Sequence, residues 1–279
     1  MDEEQVLSFR GMNVSFRVYE PEGLVRHRIL LIPGPLSDGS VFAPLIPLLL
    51  SVNCLIVCAD LPGFGRSAVG AGVPMGAQTR ASILWGILDH VDREISFGAR
   101  SWHVLAHGSA AYAALEMAAV NPESVLSHIL IGPVFSPDGG GRHRHAPGDD
   151  EILGWYDRNI VPPAAFRALA NYVYDVRLEP ERLRQLHRPL LRRGVREELP
   201  RLVREGYRIP REHFGAFTPM LILRGENDVF SNRSFTKEIA EALKDAEVHR
   251  LEHTGHCPME THPEWVMDYL RGWLRYLDE

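Results

Sequence analysis

The chain of 279 residues predicts an α/β fold: a mainly parallel eight-stranded sheet flanked by helices, with an inserted helical cap. Three observations carry that expectation. Short continuous apolar runs alternate with helix-period segments, as in strands buried on both faces. The alternation stops after Gly132 and resumes near Pro219. Between those points the chain is rich in arginine and helical spacing, with no clear strand. The implied division is a core of residues 1–135 and 218–279 and a cap of residues 136–217.

The elements follow in order. Residues 6–19 alternate around Gly11-Met12 and read as a β-hairpin. Ile29-Leu30-Leu31-Ile32 is a buried strand closed by Pro33-Gly34-Pro35. A helix is expected from Val41 to Leu50, despite Pro44 and Pro47. Cys54 to Ala59 is the next strand, followed by the loop Asp60-Leu61-Pro62-Gly63-Phe64-Gly65-Arg66-Ser67, whose glycines read as turn residues. Gln78 to Val91 has helical spacing. Trp102 to His107 reads as a strand, Gly108-Ser109 as a tight turn, and the small residues beyond as a helix ending near Asn121-Pro122. Val125 to Ile131 is a strand. A glycine-rich loop with His143 and His145 opens the arginine-rich stretch. Pro219 to Leu223 and Val248 to Leu251 complete the sheet, with helices at Ser234 to Leu243 and Pro263 to Tyr276.

Composition narrows the function. A hydrophobic content of 45% supports a packed core, and a net charge of −6 gives no reason to expect nucleic acid. Lys237 and Lys244 are the only lysines, and the arginine excess carries no function of its own. The acidic start Met1-Asp2-Glu3-Glu4 lacks the pattern of a signal peptide, and no apolar run is long enough to span a bilayer. Three cysteines with no ligand-like spacing point to reduced thiols and a cytoplasmic location. The expected partner is a small molecule, with no membrane and no nucleic acid; a homodimer is compatible with the sequence.

Five segments stand in a telling order. They are Leu31-Ile32-Pro33-Gly34, the loop Asp60 to Ser67, Ala106-His107-Gly108-Ser109-Ala110, Leu223-Arg224-Gly225-Glu226-Asn227-Asp228, and Thr254-Gly255-His256-Cys257-Pro258-Met259-Glu260. Together they resemble the α/β-hydrolase family over essentially the whole chain. The third segment is similar to the G-x-S-x-G nucleophile elbow, with Gly108 where the serine belongs. The resemblance sets that register: counting back from the proline and acid that close the elbow helix, here Pro122-Glu123, lands on Gly108 rather than Ser109. It also implies that Asp228 is the acid and His256 the histidine, in the family's chain order. A second departure lies in the oxyanion loop. Its donor position holds Pro35, which has no N–H. Ser109 would keep its own N–H, and Leu36 would substitute if the loop shifts by one. His107 completes this group of oxyanion-type or substrate-binding candidates.

Alternatives stay open at each position. Asp228 and His256 read either as an acid–base dyad or as an inherited hydrogen bond closing two loops. Gly108 either relieves backbone strain where no side chain is needed or makes room for a substrate atom or a water. An artificial serine replacement is a third reading, against which Pro35 counts. His107 reads first as packing behind the elbow, and Cys257 either as a reactive thiol beside His256 or as a side chain pointing away from its neighbour's. His143 and His145 read as solvated rather than as metal ligands, so no metal is expected. Trp155, Tyr156, Tyr172 and Tyr174 either line a pocket for an aromatic or polycyclic ligand or anchor the cap.

The leading expectation is a cofactor-free enzyme of small-molecule, specialised metabolism, using a His–Asp dyad for proton transfer of lyase, cyclase or isomerase type. One alternative is hydrolysis of an ester, lactone or C–C bond by a His-activated water. The other is a non-catalytic, ligand-binding relative of hydrolases.

Overall fold

Eight strands form one sheet in the computed structural model: β1 (Glu4–Phe9), β2 (Met12–Tyr19), β3 (His27–Ile32), β4 (Cys54–Ala59), β5 (Trp102–His107), β6 (Val125–Ile131), β7 (Met220–Gly225) and β8 (Ala246–Leu251). The structure describes residues 4–9, 12–67, 76–94, 101–134, 148–192, 194–205, 218–231 and 246–278. The strand order is β1-β2-β4-β3-β5-β6-β7-β8. β1 and β2 run antiparallel, and every pairing from β4 across to β8 is parallel. The expected eight-stranded, mainly parallel sheet is the one observed.

The apolar runs follow from burial on both faces. Successive side chains of a strand point to opposite sides. Leu30 and Ile32 therefore join one apolar cluster while Ile29 and Leu31 join the other. β4 divides in the same way, Leu55 and Val57 against Cys54 and Ile56. β8, at the sheet edge, is half-exposed and carries no such run.

Helices cover both faces. They are α1 (Ile46–Leu50), α2 (Ala77–Glu94), α3 (Ala111–Val120), α4 (Asp149–Asn159), α5 (Pro163–Tyr174), α6 (Pro180–Leu190), α7 (Val195–Glu205), α8 (Pro258–Thr261) and α9 (Pro263–Asp278). α2 and α3 pack on one cluster through Ile83, Leu84, Ile87 and the alanines of α3. Ile152, Tyr156, Phe166, Leu186, Leu190 and Leu199 of α4 to α7 share the other cluster with α1 and α9. Among the described residues between β6 and β7 there is no strand. No described helix is long and apolar enough to cross a membrane.

One expected element is corrected. The helix expected from Val41 to Leu50 is instead a 3₁₀ turn, Gly39–Phe42, followed by the short α1. Asp38 caps the turn, its carboxylate accepting the Ser40 N–H at 2.9 Å. Pro44 ends the turn because it has no N–H to donate, and Pro47 is tolerated in the first turn of α1, where none is required. The glycine-rich loop with His143 and His145, the turn residue Gly11 and the helix expected from Ser234 to Leu243 lie outside the described residues.

Because β5, β6, β7 and β8 are parallel neighbours, their C-terminal ends emerge side by side. The loops that begin at Gly108, Gly132, Glu226 and Glu252 therefore meet at one end of the sheet, where ligand sites of open α/β sheets lie.

Candidate active site

β5 ends at His107 with extended backbone, and Gly108 then turns with φ +57° into a short 3₁₀ turn ahead of α3. That left-handed conformation favours glycine. A β-carbon built on Gly108 would lie 3.2 Å from His256 Nε2 and 3.7 Å from its Cε1. Gly108, rather than Ser109, is thus the residue whose missing side chain would point at the imidazole. Ser109 is buried in the 3₁₀ turn and shares no hydrogen bond with His256.

His256 stands on the loop after β8. Its Nδ1 lies 2.9 Å from Asp228 Oδ2. The other carboxylate oxygen of Asp228 accepts the N–H groups of Phe230 at 2.8 Å and Ser231 at 2.9 Å. Burial pushes the Asp228 carboxyl up. The hydrogen bond and charge of His256, with the two N–H bonds, outweigh it and hold the carboxyl below its ordinary value. An ionised carboxylate only accepts, so Nδ1 carries a proton toward Asp228, and Nε2 faces Gly108.

The imidazole is held on several sides. The His107 ring lies 4.5 Å away, and its Nε2–H donates to the His256 carbonyl at 3.0 Å. Burial first, then the neighbouring His256, pushes the His107 pKa down to about 3, so His107 is neutral. The Phe230 ring meets His256 edge-on at 5.0 Å and is itself 48% exposed. Gly132, with φ +52°, closes the fourth side. A β-carbon there would lie 2.8 Å from Asp228 Oδ2 and 2.9 Å from His256 Nδ1, so only a glycine backbone fits over the dyad. Burial pushes the Cys257 thiol far up, and its sulfur rests 3.9 Å from His107 Nε2. It is a neutral packing group.

The oxyanion-loop residues form a β-turn. The Ser37 N–H and hydroxyl both donate to the Gly34 carbonyl, at 3.3 and 2.9 Å. Pro35 and Leu36 are the central residues, and Leu36 has φ +62°, as at the third position of a type II turn. Among the described residues no acceptor takes the Leu36 N–H or the Ser109 N–H. The aromatic candidates divide. Tyr156 is buried and donates its hydroxyl to the Leu190 carbonyl. Tyr174 is buried and donates to Glu260 at 2.9 Å. Trp155 and Tyr172 lie on exposed helix faces. Among the described residues no group of three or more His, Cys, Asp or Glu could hold a metal ion.

Sequence reasoning did not single out Phe230, Gly132 or Glu260. Gly132 left a signal, a glycine at the end of an apolar strand. Phe230 left only its place two residues after the acid. Glu260 closes the histidine segment, but its partners are 78 and 86 residues away and gave it no role in the sequence.

A strand, a turn at positive φ, an acid after β7 and a histidine after β8 can be compared with known proteins as a unit. The model of the alpha/beta hydrolase family matches residues 29–269. The chain is 24% identical over 276 residues to the uncharacterized hydrolase YugF of Bacillus subtilis (strain 168), covering 95% of each chain. Among solved structures, a probable hydrolytic enzyme from Pseudomonas aeruginosa PAO1 superposes with a TM-score of 0.81 at 18% identity, over 97% of this chain and 93% of that one. A membrane phospholipase A, a bacterial virulence factor, superposes with a TM-score of 0.77 at 20% identity, over 99% of this chain and 87% of that one. At those identities the superpositions speak for the fold alone. The family match spans most of the chain and all four loops of the site, and on that ground the chain belongs to the alpha/beta hydrolase family.

Proposed function

We propose that the chain is a hydrolase that forms no covalent intermediate, in which His256, oriented by Asp228, activates a water lodged beside Gly108. One observation carries the reading. The space that a side chain of residue 108 would fill begins 3.2 Å from His256 Nε2, while Nδ1 is engaged by Asp228. We assign a water to the region beyond the Gly108 α-carbon, within hydrogen-bond distance of Nε2.

The reaction runs on this chain's own groups. Nε2 takes one proton from the water as its oxygen bonds to a substrate carbonyl carbon. The imidazolium that forms is stabilised by the Asp228 carboxylate. The carbonyl oxygen becomes an oxyanion and accepts the free N–H of Ser109, with Leu36 as the second donor in place of Pro35. When the tetrahedral species collapses, Nε2–H returns its proton to the leaving group. No cofactor enters these steps. The hydrolase names of the relatives support a hydrolytic outcome. The substrate class is a small carbonyl compound such as an ester, a lactone or a ketone cleaved at a C–C bond.

A second reading rests on Pro35. With that donor missing, proton abstraction from the substrate itself, leading to elimination, cyclisation or isomerisation, makes less demand on the oxyanion site than acyl transfer does. The two readings separate in H₂¹⁸O with p-nitrophenyl acetate and dihydrocoumarin as probes. Hydrolysis by this chain, lost in His256→Ala, with ¹⁸O in the released acid, supports the first reading. Probes left intact, with label-free rearranged product from a carbonyl compound, support the second. Turnover unchanged in His256→Ala sinks both, and no turnover of these probes or of any carbonyl compound by the unaltered chain leaves a ligand-binding role.

A further inference from the structure

The C-terminal end of α5 is capped from outside by the two loops that carry Asp228 and His256. The last carbonyls of a helix have no partner within it. Val173, one residue from the end of α5, receives the backbone N–H of His256 at 2.9 Å. Asp175, the C-cap residue in the left-handed region at φ +57°, receives the Asn227 side-chain amide at 2.7 Å. Asn227 in turn donates its backbone N–H to Thr254 at 2.9 Å, so the two loops and the helix end form one hydrogen-bonded unit. A β-carbon on Gly255 would meet the Val173 oxygen at 2.5 Å and the Tyr174 carbonyl carbon at 2.6 Å. The helix backbone therefore rests directly on the residue before His256.

A side-chain clamp holds this contact shut. Glu260 lies on α8, four residues after His256, and is largely buried. Its carboxylate accepts the Tyr174 hydroxyl at 2.9 Å. It also accepts the Arg182 guanidinium on both oxygens, through Nε and through Nη2, the latter at 2.8 Å. With its remaining nitrogen Arg182 then donates at 2.9 Å to Ser40 Oγ, in the 3₁₀ turn that follows Pro35 and Leu36. Forked guanidinium–carboxylate pairs fix direction as well as distance. Burial alone would lower the Arg182 pKa and raise that of Tyr174. Glu260 outweighs burial at Arg182 and adds to it at Tyr174, so both stay protonated donors.

We propose that Glu260 is a positioning residue for His256: through Tyr174 and Arg182 it pins the α5–α6 corner against the histidine loop and so keeps Nδ1 on Asp228. This deepens the functional reading above and rests on His256 being its working base. The clamp makes the helices after β6 and the dyad one mechanical body. Anything that lifts that corner, including a ligand held beneath it, moves the imidazole away from its carboxylate.

The test reads the imidazole and needs no substrate, so its failure and a failure of the proposed reaction are distinguishable. The full chain is labelled with ¹⁵N-histidine, and His256 is identified by the signals lost in His256→Gln. The ring-nitrogen shifts of the neutral form report which nitrogen is protonated. In the wild type they show a single Nδ1–H tautomer. In Glu260→Ala the Nε2–H population rises about tenfold, and Glu260→Gln, which keeps one acceptor oxygen, lies closer to the wild type. Arg182→Gln, which removes the fork, follows Glu260→Ala. Tyr174→Phe deletes one hydroxyl and supplies the mildest arm should the others fail to fold. Folded variants whose His256 shifts match the wild type, even with a lowered Tm, make the clamp merely structural and overturn the proposal. Mixed tautomers in the wild type overturn it as well.

Discussion

Replacing Gly108 with alanine places a methyl carbon 3.2 Å from His256 Nε2, closer than such carbons ordinarily approach a neighbour. Two terms set the stability change. A β-carbon in the left-handed region costs about 1–2 kcal/mol, and the φ of +57° lies in that region. Alanine also restricts the unfolded chain, which returns roughly 0.4–1 kcal/mol. The imidazole can relieve the contact only by moving against its neighbours. Asp228 holds Nδ1, His107 and Phe230 flank the ring, and the Gly132 backbone covers its edge. The two backbone terms leave a loss of roughly 0–1.6 kcal/mol, and the tight contact with His256 brings the expectation to about 1–2 kcal/mol, a fall in Tm of roughly 2–8 °C. Calorimetry or a urea titration measures it. On the proposed mechanism turnover responds far more, because the methyl intrudes on the place assigned to the attacking water. Losing a positioned base–water pair removes about 10²–10⁴ in rate. A folded Gly108→Ala protein that hydrolyses the probes within about threefold of the wild type refutes the placement of the water. A loss of rate together with global unfolding would show instead that the backbone strain was undercounted.

Other perturbations test the surroundings. Asp228→Asn leaves a neutral amide against Nδ1, frees the tautomer and lowers turnover by about 10²–10⁴, measured on the same probes. Because the folded Asp228 carboxyl lies below its unfolded value, its stabilisation is present above the unfolded value near 3.9 and is lost as pH falls through the folded one. Acid unfolding below about pH 4 should therefore be shallower in the variant. Asp60 has the opposite sign. Burial, then the nearby Asp38, raise it to about 6 against the N–H bonds from Arg66 and Gly39. The folded state holds the extra proton, so this group's contribution falls as pH rises from its unfolded value to about 6, then levels off. Asp60→Asn should remove that slope in denaturant titrations across the same window, and an unchanged slope would assign it elsewhere. Gly132→Ala drives a methyl between Asp228 and His256, and is expected to cost about 2–4 kcal/mol and to abolish turnover; near-native stability in a urea titration would contradict the packing described.

Much of the fold was legible because its strands are buried on both faces. Ile29 to Ile32 and Cys54 to Ala59 must be apolar at every position, and such runs are visible without a partner. The stretch from Val41 to Leu50 misled for a local reason. Its apolar spacing is helical, but Pro44 and Pro47 divide the hydrogen-bond ladder, and a cap at Asp38 starts a different turn. At the site, Gly108, Asp228 and His256 were legible because each ends or follows a strand in a fixed order. Phe230 and Glu260 were not. Phe230 sits beside His256 only because two N–H groups of its loop fold onto the Asp228 carboxylate. Glu260 gains its meaning from Tyr174 and Arg182, contributed by helices from another part of the chain. The four cap aromatics looked alike in sequence, yet the structure uses two as buried hydroxyl donors and leaves two on the surface.

The contrast between Gly108 and the rest of the site bears on whether chemistry survives here. Glycine at 108 relaxes a strained turn, which is what drift toward stability would select once a nucleophile is dispensable. Drift places no such demand on the Asp228–His256 pair, whose burial has to be offset by partners. A buried carboxylate needs partners to remain ionised, and Asp228 has three in His256, Phe230 and Ser231. The ring beside it requires a glycine at 132 in another positive-φ conformation. Its loop is held by an interlocked clamp through Glu260. Each of these features is easily lost to single substitutions that would leave the fold intact. Their joint presence around an imidazole whose Nε2 faces Gly108 supports the proposed proton transfer over decay.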